Sequence, residues 1–309
     1  MQSAHKKNTS TAIRAQLTLV PRAPREHTQR RSPLALWHLL SLDAPSVACV
    51  WTIAVASAVG LHLPWTSPAA MFVAVWILYV ADRLLDARSL DTHHAPHDLE
   101  ARHIFHHRHR RAFLAGILIS ACLLSALLRT LDTHALRLYV LLATLLAAYF
   151  LLIHARPDTA HRLPKELAVG IFFPAAVFIP TVARLPQLRL DLLPIAILLA
   201  ATCSLNCLFL YAWEHPGPRT HAHSSTRWAT RHLVPLTCTI AALSLVYCLR
   251  SSALLSAPRS LIACILASSL LLLALHYLRR RLQPIHLRAL ADLVLLTPLI
   301  PLALSHLKR

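Results

Sequence analysis

Acidic residues are scarce in this 309-residue chain. Thirteen Asp and Glu stand against 31 Lys and Arg, and charged residues of both signs make up only 14% of it. That is too little polar surface for an ordinary soluble domain. With 56% hydrophobic residues and a mean hydropathy of +0.53, the composition points to a polytopic helical membrane protein. Glycine is scarcer still, at four, so close helix contacts have to rest on Ala and Ser. No Cys-x-x-Cys occurs. The seven cysteines, with Cys203 and Cys207 on one helix face, all fall in apolar windows and read as small buried hydrophobes. No basic patch is interleaved with aromatics, so the net charge of +18 does not call for a nucleic-acid partner.

What the chain does contain is a succession of apolar windows at 44–63, 68–86, 112–130, 134–154, 164–184, 191–213, 233–250, 259–278 and 287–306. Each approaches the ~20 residues that span a bilayer. The reading is an all-α protein of about nine transmembrane helices around a central cavity. With nine spans, 23 of the 31 basic residues fall on one side and 8 on the other. This places the amino terminus in the cytoplasm. Residues 1–33 are basic and polar without an apolar core, which reads as a disordered cytoplasmic tail rather than a signal peptide. Residues 34–309 form the membrane domain. Its start, Leu34-Ala-Leu-Trp-His-Leu-Leu-Ser41, reads as an interfacial helix, and Asp43 as a cap of the first span with Pro45 in its first turn. Prolines inside the fifth span (Pro174, Pro180) and the ninth (Pro298, Pro301) should kink those helices and free carbonyls toward the interior.

Two loops are long and polar, 87–111 and 214–232, and they hold eleven of the 21 histidines. Both lie on the cytoplasmic side, four spans apart, so they can converge over one cavity. The end of the second span reads Tyr79-Val-Ala-Asp82-Arg83-Leu-Leu-Asp86-Ala-Arg88. Asp82 and Asp86 are one helical turn apart on one face, about 6 Å along the axis, a spacing that suits one cation. Ionisable groups at the membrane mark candidate functional sites. The alternative is a structural network in which the two carboxylates pair with Arg83, Arg88 or loop arginines. The loop also contains His103-x-x-His106-His107, a spacing found in membrane di-iron enzymes. Those enzymes need about three such boxes, and only one is present. Lys165-Glu166, at the start of the fifth span, reads as an interfacial ion pair.

This layout resembles the UbiA superfamily of intramembrane prenyltransferases. That family carries Asn-Asp-x-x-Asp-x-x-x-Asp at the end of span 2 and a second Asp-rich motif at the end of span 6. Here Asp82 takes the Asn place, Arg83 replaces the first Asp, Asp86 matches the second, and the last position falls at Leu90. The second motif reads Asn206-Cys-Leu-Phe-Leu-Tyr211-Ala-Trp-Glu214-His215. Its Tyr-Ala pair is similar to the family's, but both aspartates are gone. Pro164-Lys-Glu-x-x-x-Gly170 is also similar to a family stretch at the start of span 5.

The resemblance implies an integral protein of the bacterial cytoplasmic membrane that transfers a prenyl group from an allylic diphosphate to a lipophilic acceptor. On that reading Asp82, Asp86 and Glu214 would be the catalytic and metal-binding groups, with at most one Mg²⁺. Arg83, Arg88, Arg102, His106, Asn206 and Tyr211 would bind substrate, the arginines taking up phosphate charge in place of the lost aspartates. The lost aspartates also leave room for a catalytically silent protein of the same fold that binds a lipid or a quinone precursor, or supports a membrane partner. A transporter ranks third, because Glu166 is the one acidic residue read as deep within a span.

Overall fold

Apolar runs of this length leave backbone amides no partner in lipid except one another, so they form helices. The computed structural model describes residues 32–89, 101–155, 165–215, 223–254 and 258–307. Within these, the side chains of 86–89, 101–104, 150, 153–155, 165, 251–254 and 306 are not described. Residues Pro33–Arg309 make up one unit.

The described chain is helical throughout, with no strand. Its helices are α1 (Pro33–Leu39), α2 (Asp43–Ala58), α3 (Thr66–Ser89), α4 (Ala101–Arg108), α5 (Arg110–Leu128), α6 (Thr133–Ala155) and α7 (Lys165–Arg184). They continue as α8 (Arg189–Glu214), α9 (Ser224–Arg231), α10 (Leu233–Leu254), α11 (Arg259–Leu278), α12 (Pro284–Leu293) and α13 (Leu299–Leu307).

Every apolar window contains a helix, yet six helices among the described residues are long and apolar enough to cross a membrane: α3, α5, α7, α8, α10 and α11. The count reaches eight if each of two bent pairs is one span. In the first pair α1 turns 91° from α2, and in the second the stretch 284–296 turns 43° from α13. The remaining window is α6, whose apolar stretch Thr133–Tyr149 is shorter than a span among the described residues. Among the described residues the nine windows are thus filled by six single spanning helices, two bent pairs and α6.

The main core is built from α2, α7, α8 and α11. Trp51, Val55, Val177, Ile195, Leu199, Ile262 and Ile265 are buried in it. The outer helices α5 and α6 turn large apolar side chains outward. Leu118, Ile119, Val140 and Leu151 are more than half exposed, as lipid-facing residues would be.

The tightest contact joins α7 to α8. A Cβ added at Gly170 would come within 1.8 Å of Ser204 Oγ and 2.8 Å of the Ala200 carbonyl oxygen. Close packing here depends on one of the four glycines, not on Ala and Ser alone. The seven cysteines are all free. Cys203 and Cys264 are buried, whereas Cys122 and Cys238 are exposed, contrary to the expectation that all would be interior.

The prolines behave in two ways. α7 runs unbroken through Pro174 and Pro180. Pro180 cannot bond the Ala176 carbonyl four residues back, and Tyr139 Oη on α6 donates to that oxygen at 3.3 Å. The stretch 284–305 does break, at a bend of 43°. Pro298 leaves the Val294 carbonyl free, and Ser268 Oγ on α11 donates to it at 2.8 Å. Trp51 Nε1 on α2 donates to the next carbonyl, that of Leu295, at 2.8 Å. The interior thus supplies a side-chain donor for each of these three carbonyls, as lipid cannot.

Candidate functional site

The corner between α1 and α2 is where charge enters the core. Ser41 has φ 59°, a left-handed conformation that costs a non-glycine residue on the order of 1 kcal/mol or more. That residue turns the chain so that His38, at the end of α1, faces Asp43, at the start of α2. His38 Nδ1 and Asp43 Oδ2 lie 2.6 Å apart, and both side chains are buried. Asp43 is therefore not the helix cap expected from its position. Leu42 occupies the N-cap without a side-chain bond, and the Asp43 carboxylate points into the protein because charged partners await it there.

The first of those partners comes from α3. The Arg83 guanidinium donates to the His38 carbonyl at 2.8 Å, to Ser41 Oγ at 2.9 Å and to Asp43 Oδ2 at 3.3 Å. Its Cζ lies 4.4 Å from the centre of the Tyr79 ring. Trp76 Nε1, two turns earlier on α3, donates to the Leu40 carbonyl at 3.1 Å. From α4, His106 Nε2 lies 3.0 Å from Ser41 Oγ, and its ring stacks on Phe113 at 4.3 Å. α4 lies against α3 and α1.

A second group reaches the same place from the far end of the sequence. Asp292 on α12 presents its carboxylate so that one ligand atom from each of His38, Asp43 and Asp292 lies within 4.8 Å of the others. Asn206 Nδ2 on α8 donates to Asp292 Oδ1 at 2.9 Å. Asp292 Oδ2 and Asn206 Oδ1 are buried without a hydrogen-bond partner. Six helices thus contribute to one buried polar cluster, and no more than 8% of any of its side chains' residues is exposed.

The residues expected from sequence are distributed around this cluster. Arg83, His106 and Asn206 belong to it and are buried. Arg83 faces a carboxylate inside the bundle rather than an open phosphate site. Glu214, at the end of α8, pairs with Arg288 of α12. Tyr211 is half-buried and stacks on His215 with ring centres 4.5 Å apart. Asp82 is half-buried on α3. Asp86 and Arg88 lie further along α3, and Arg102 lies on α4, but their side chains fall outside the described residues. Glu166 accepts from Thr226 Oγ1 on α9 at 3.0 Å, tying the 214–232 connection to α7; the Lys165 side chain lies outside the described residues.

Sequence reading missed His38, Asp43 and Asp292 as site residues. The last two carried a usable signal, since each is a carboxylate at or inside an apolar window. The premise that Glu166 alone is a deep acidic residue is overturned by Asp292, which is 6% exposed within the last window.

A groove of ≈ 310 Å³ opens beside the corner. It is lined by Leu40, Leu42, Phe72, Val73, Trp76, Phe113 and Ser120. Its walls share Leu40 and Leu42 with the polar corner at Ser41, and Phe113 is the residue on which His106 stacks. An apolar groove bordering a polar corner is suited to an amphiphile.

No family model matches this chain, and neither a curated protein nor a solved structure matches it.

Proposed function

We propose that this chain is a UbiA-like integral membrane protein that binds a lipid with an isoprenoid tail and a polar head, a prenyl diphosphate or quinone precursor, without turning it over. The observation that carries the reading is the commitment of its charged groups to one another. Arg83 is engaged by Asp43, Asn206 by Asp292 and Glu214 by Arg288. A diphosphate-ionising site needs such groups free to neutralise several negative charges. The apolar groove between the α1–α2 corner, α3 and α5 supports a lipid chain lying beside this corner. In this reading the chain has nine spans in a bacterial cytoplasmic membrane, with its amino terminus inside. α6 and the two bent pairs complete the count, and the basic-residue asymmetry sets the orientation.

Prenyl transfer is the second reading. It is favoured by Asp82 and Asp86, which stand one turn apart on α3. They would hold one Mg²⁺, with Glu214 released from Arg288 to complete the set and Arg88 and Arg102 on the phosphates.

Mass spectrometry of the lipid that co-purifies in mild detergent tests the binding reading. A prenyl diphosphate or quinone precursor at near-stoichiometric amount supports it, and bulk phospholipid alone removes it. Incubation with a prenyl diphosphate, Mg²⁺ and a panel of aromatic acceptors then separates the two readings, since released diphosphate appears only if the protein is a transferase.

A further inference from the structure

We propose that His38, Asp43 and Asp292 form a structural binding site for one divalent transition-metal ion of the zinc or manganese class, with Asn206 as an additional oxygen donor. This site is distinct from the Asp82, Asp86 and Glu214 set and does not depend on it.

Three observations carry the assignment. The first is the donor set and its spacing. An imidazole nitrogen and two carboxylate oxygens, all within 4.8 Å of one another, need a modest contraction to surround an ion. Bonds of about 2.0–2.2 Å in tetrahedral array place donor atoms about 3.4 Å apart. One imidazole with two carboxylates suits Zn²⁺, Mn²⁺ or Fe²⁺ better than Mg²⁺ or Ca²⁺, which take oxygen alone.

The second is unused bonding capacity at the same point. Asp292 Oδ2 and Asn206 Oδ1 are buried without a partner, at residues that are 6% and 4% exposed. A buried polar atom left unpaired costs about 1–3 kcal/mol, and such atoms call for an unseen partner. The Asn206 amide is held against Asp292 through Nδ2, so turning it over would bring its oxygen to the carboxylate pair.

The third is charge. Two carboxylates face one guanidinium, so with His38 neutral the cluster carries one net negative charge. Glu214 and Arg288 cancel each other. With both carboxylates ionised, a bound cation balances that charge. Arg83 does not block it, because its contact to Asp43 is a long one at 3.3 Å, and the His38 carbonyl, Ser41 Oγ and the Tyr79 ring hold the guanidinium independently. The 2.6 Å approach of His38 Nδ1 to Asp43 Oδ2 requires a proton between them, and an arriving ion takes that place while the ring proton moves to Nε2 and the imidazole stays neutral.

The test uses the untagged full-length protein in detergent, with His93, His94, His97 and His107 replaced by Asn to remove loop binding. Zn²⁺ content is measured after dialysis, and Co²⁺ is titrated while its visible absorption is followed. The expected result is one equivalent bound, visible bands from a nitrogen–oxygen site, and a melting temperature that rises with Zn²⁺. Asp292→Asn, which leaves the Arg83 pair untouched, should weaken binding at least tenfold and abolish the Zn²⁺-dependent rise. Asp292→Glu should restore part of both. His106→Gln, a neighbour outside the donor set, should bind as the parent does. No retained equivalent in the folded parent, or Asp292→Asn binding with unchanged affinity, overturns the proposal. Should Asp43→Asn fail to fold, the Asp292 variants still decide it.

Discussion

The Tyr139 hydroxyl donates to the Ala176 carbonyl, the oxygen that Pro180 deprives of its helical amide. The pair lets α7 carry a proline without breaking and fastens α6 to it. Tyr139→Phe should destabilise the protein by about 1 kcal/mol, the worth of one buried hydrogen bond. The same change in a Pro180→Ala background should cost little, because the restored amide bonds Ala176. Thermal unfolding of the four proteins of the cycle checks this, and equal cost in both backgrounds would show the bond to be incidental. Ser268→Ala should behave likewise with respect to Pro298, through the Val294 carbonyl.

Gly170 has no room for a methyl group. Its hypothetical Cβ meets both a movable hydroxyl, Ser204 Oγ, and an immovable backbone oxygen, that of Ala200. Gly170→Ala should cost about 1–3 kcal/mol, as overpacking does. Adding Ser204→Ala should recover part of that and not all, since the Ala200 oxygen remains. Denaturation midpoints of the single and double variants give the measurement.

Asp43 and Arg83 are buried in the same cluster at 0% and 2% exposure. Removing one partner leaves the other charge stranded, so Arg83→Met should destabilise by about 3–5 kcal/mol. Arg83→Met with Asp43→Asn should be much nearer the parent than the sum of the single changes. Additive losses would mean that the two side chains do not stabilise each other.

Lipid-headgroup binding reads out the remaining candidates. If one Mg²⁺ bridges a prenyl diphosphate to α3, Asp86→Asn should weaken binding and remove its dependence on Mg²⁺. Arg102→Ala should weaken it with or without the ion, by about 1.5–3 kcal/mol for a lost charged hydrogen bond. Titration with a short prenyl diphosphate in detergent checks both. Insensitivity to both changes would leave α3 and α4 outside any headgroup site.

How much of this could be read from the sequence follows from the physics of each feature. Hydropathy located the helices because a long apolar run has few alternatives to a helix in lipid. The break in the last window was legible from Pro298, but the donors that meet its freed carbonyls, Trp51 and Ser268, lie elsewhere in the chain and were not. The short helix ahead of the first span was legible, and the 87–111 loop also holds α4, packed on α3. The polar cluster was not. Asp43 carries a cap-like local signal, Asp followed by Pro45, and only the fold reveals that its carboxylate faces inward. Asp292 has no motif around it. Their meeting joins positions 43 and 292, which no local spacing rule can detect. Arg83 was singled out as a phosphate ligand from its place beside Asp82, but side chains one residue apart on a helix face different directions, and Arg83 took the inward one.

The bond from Trp51 to the Leu295 carbonyl spans 244 positions of sequence, and this has a consequence for biosynthesis. Helix α2 carries an indole whose partner carbonyl is translated almost at the end. Until then the indole must be met by water or by chaperones of the insertion machinery, whereas Asp43 meets His38 and Arg83 much sooner. The 284–307 stretch is therefore not an appendage added to a finished bundle but the step that completes the packing of α2. Truncation before α12 should release a chain that inserts yet stays open to proteases, with its earliest segment the least settled.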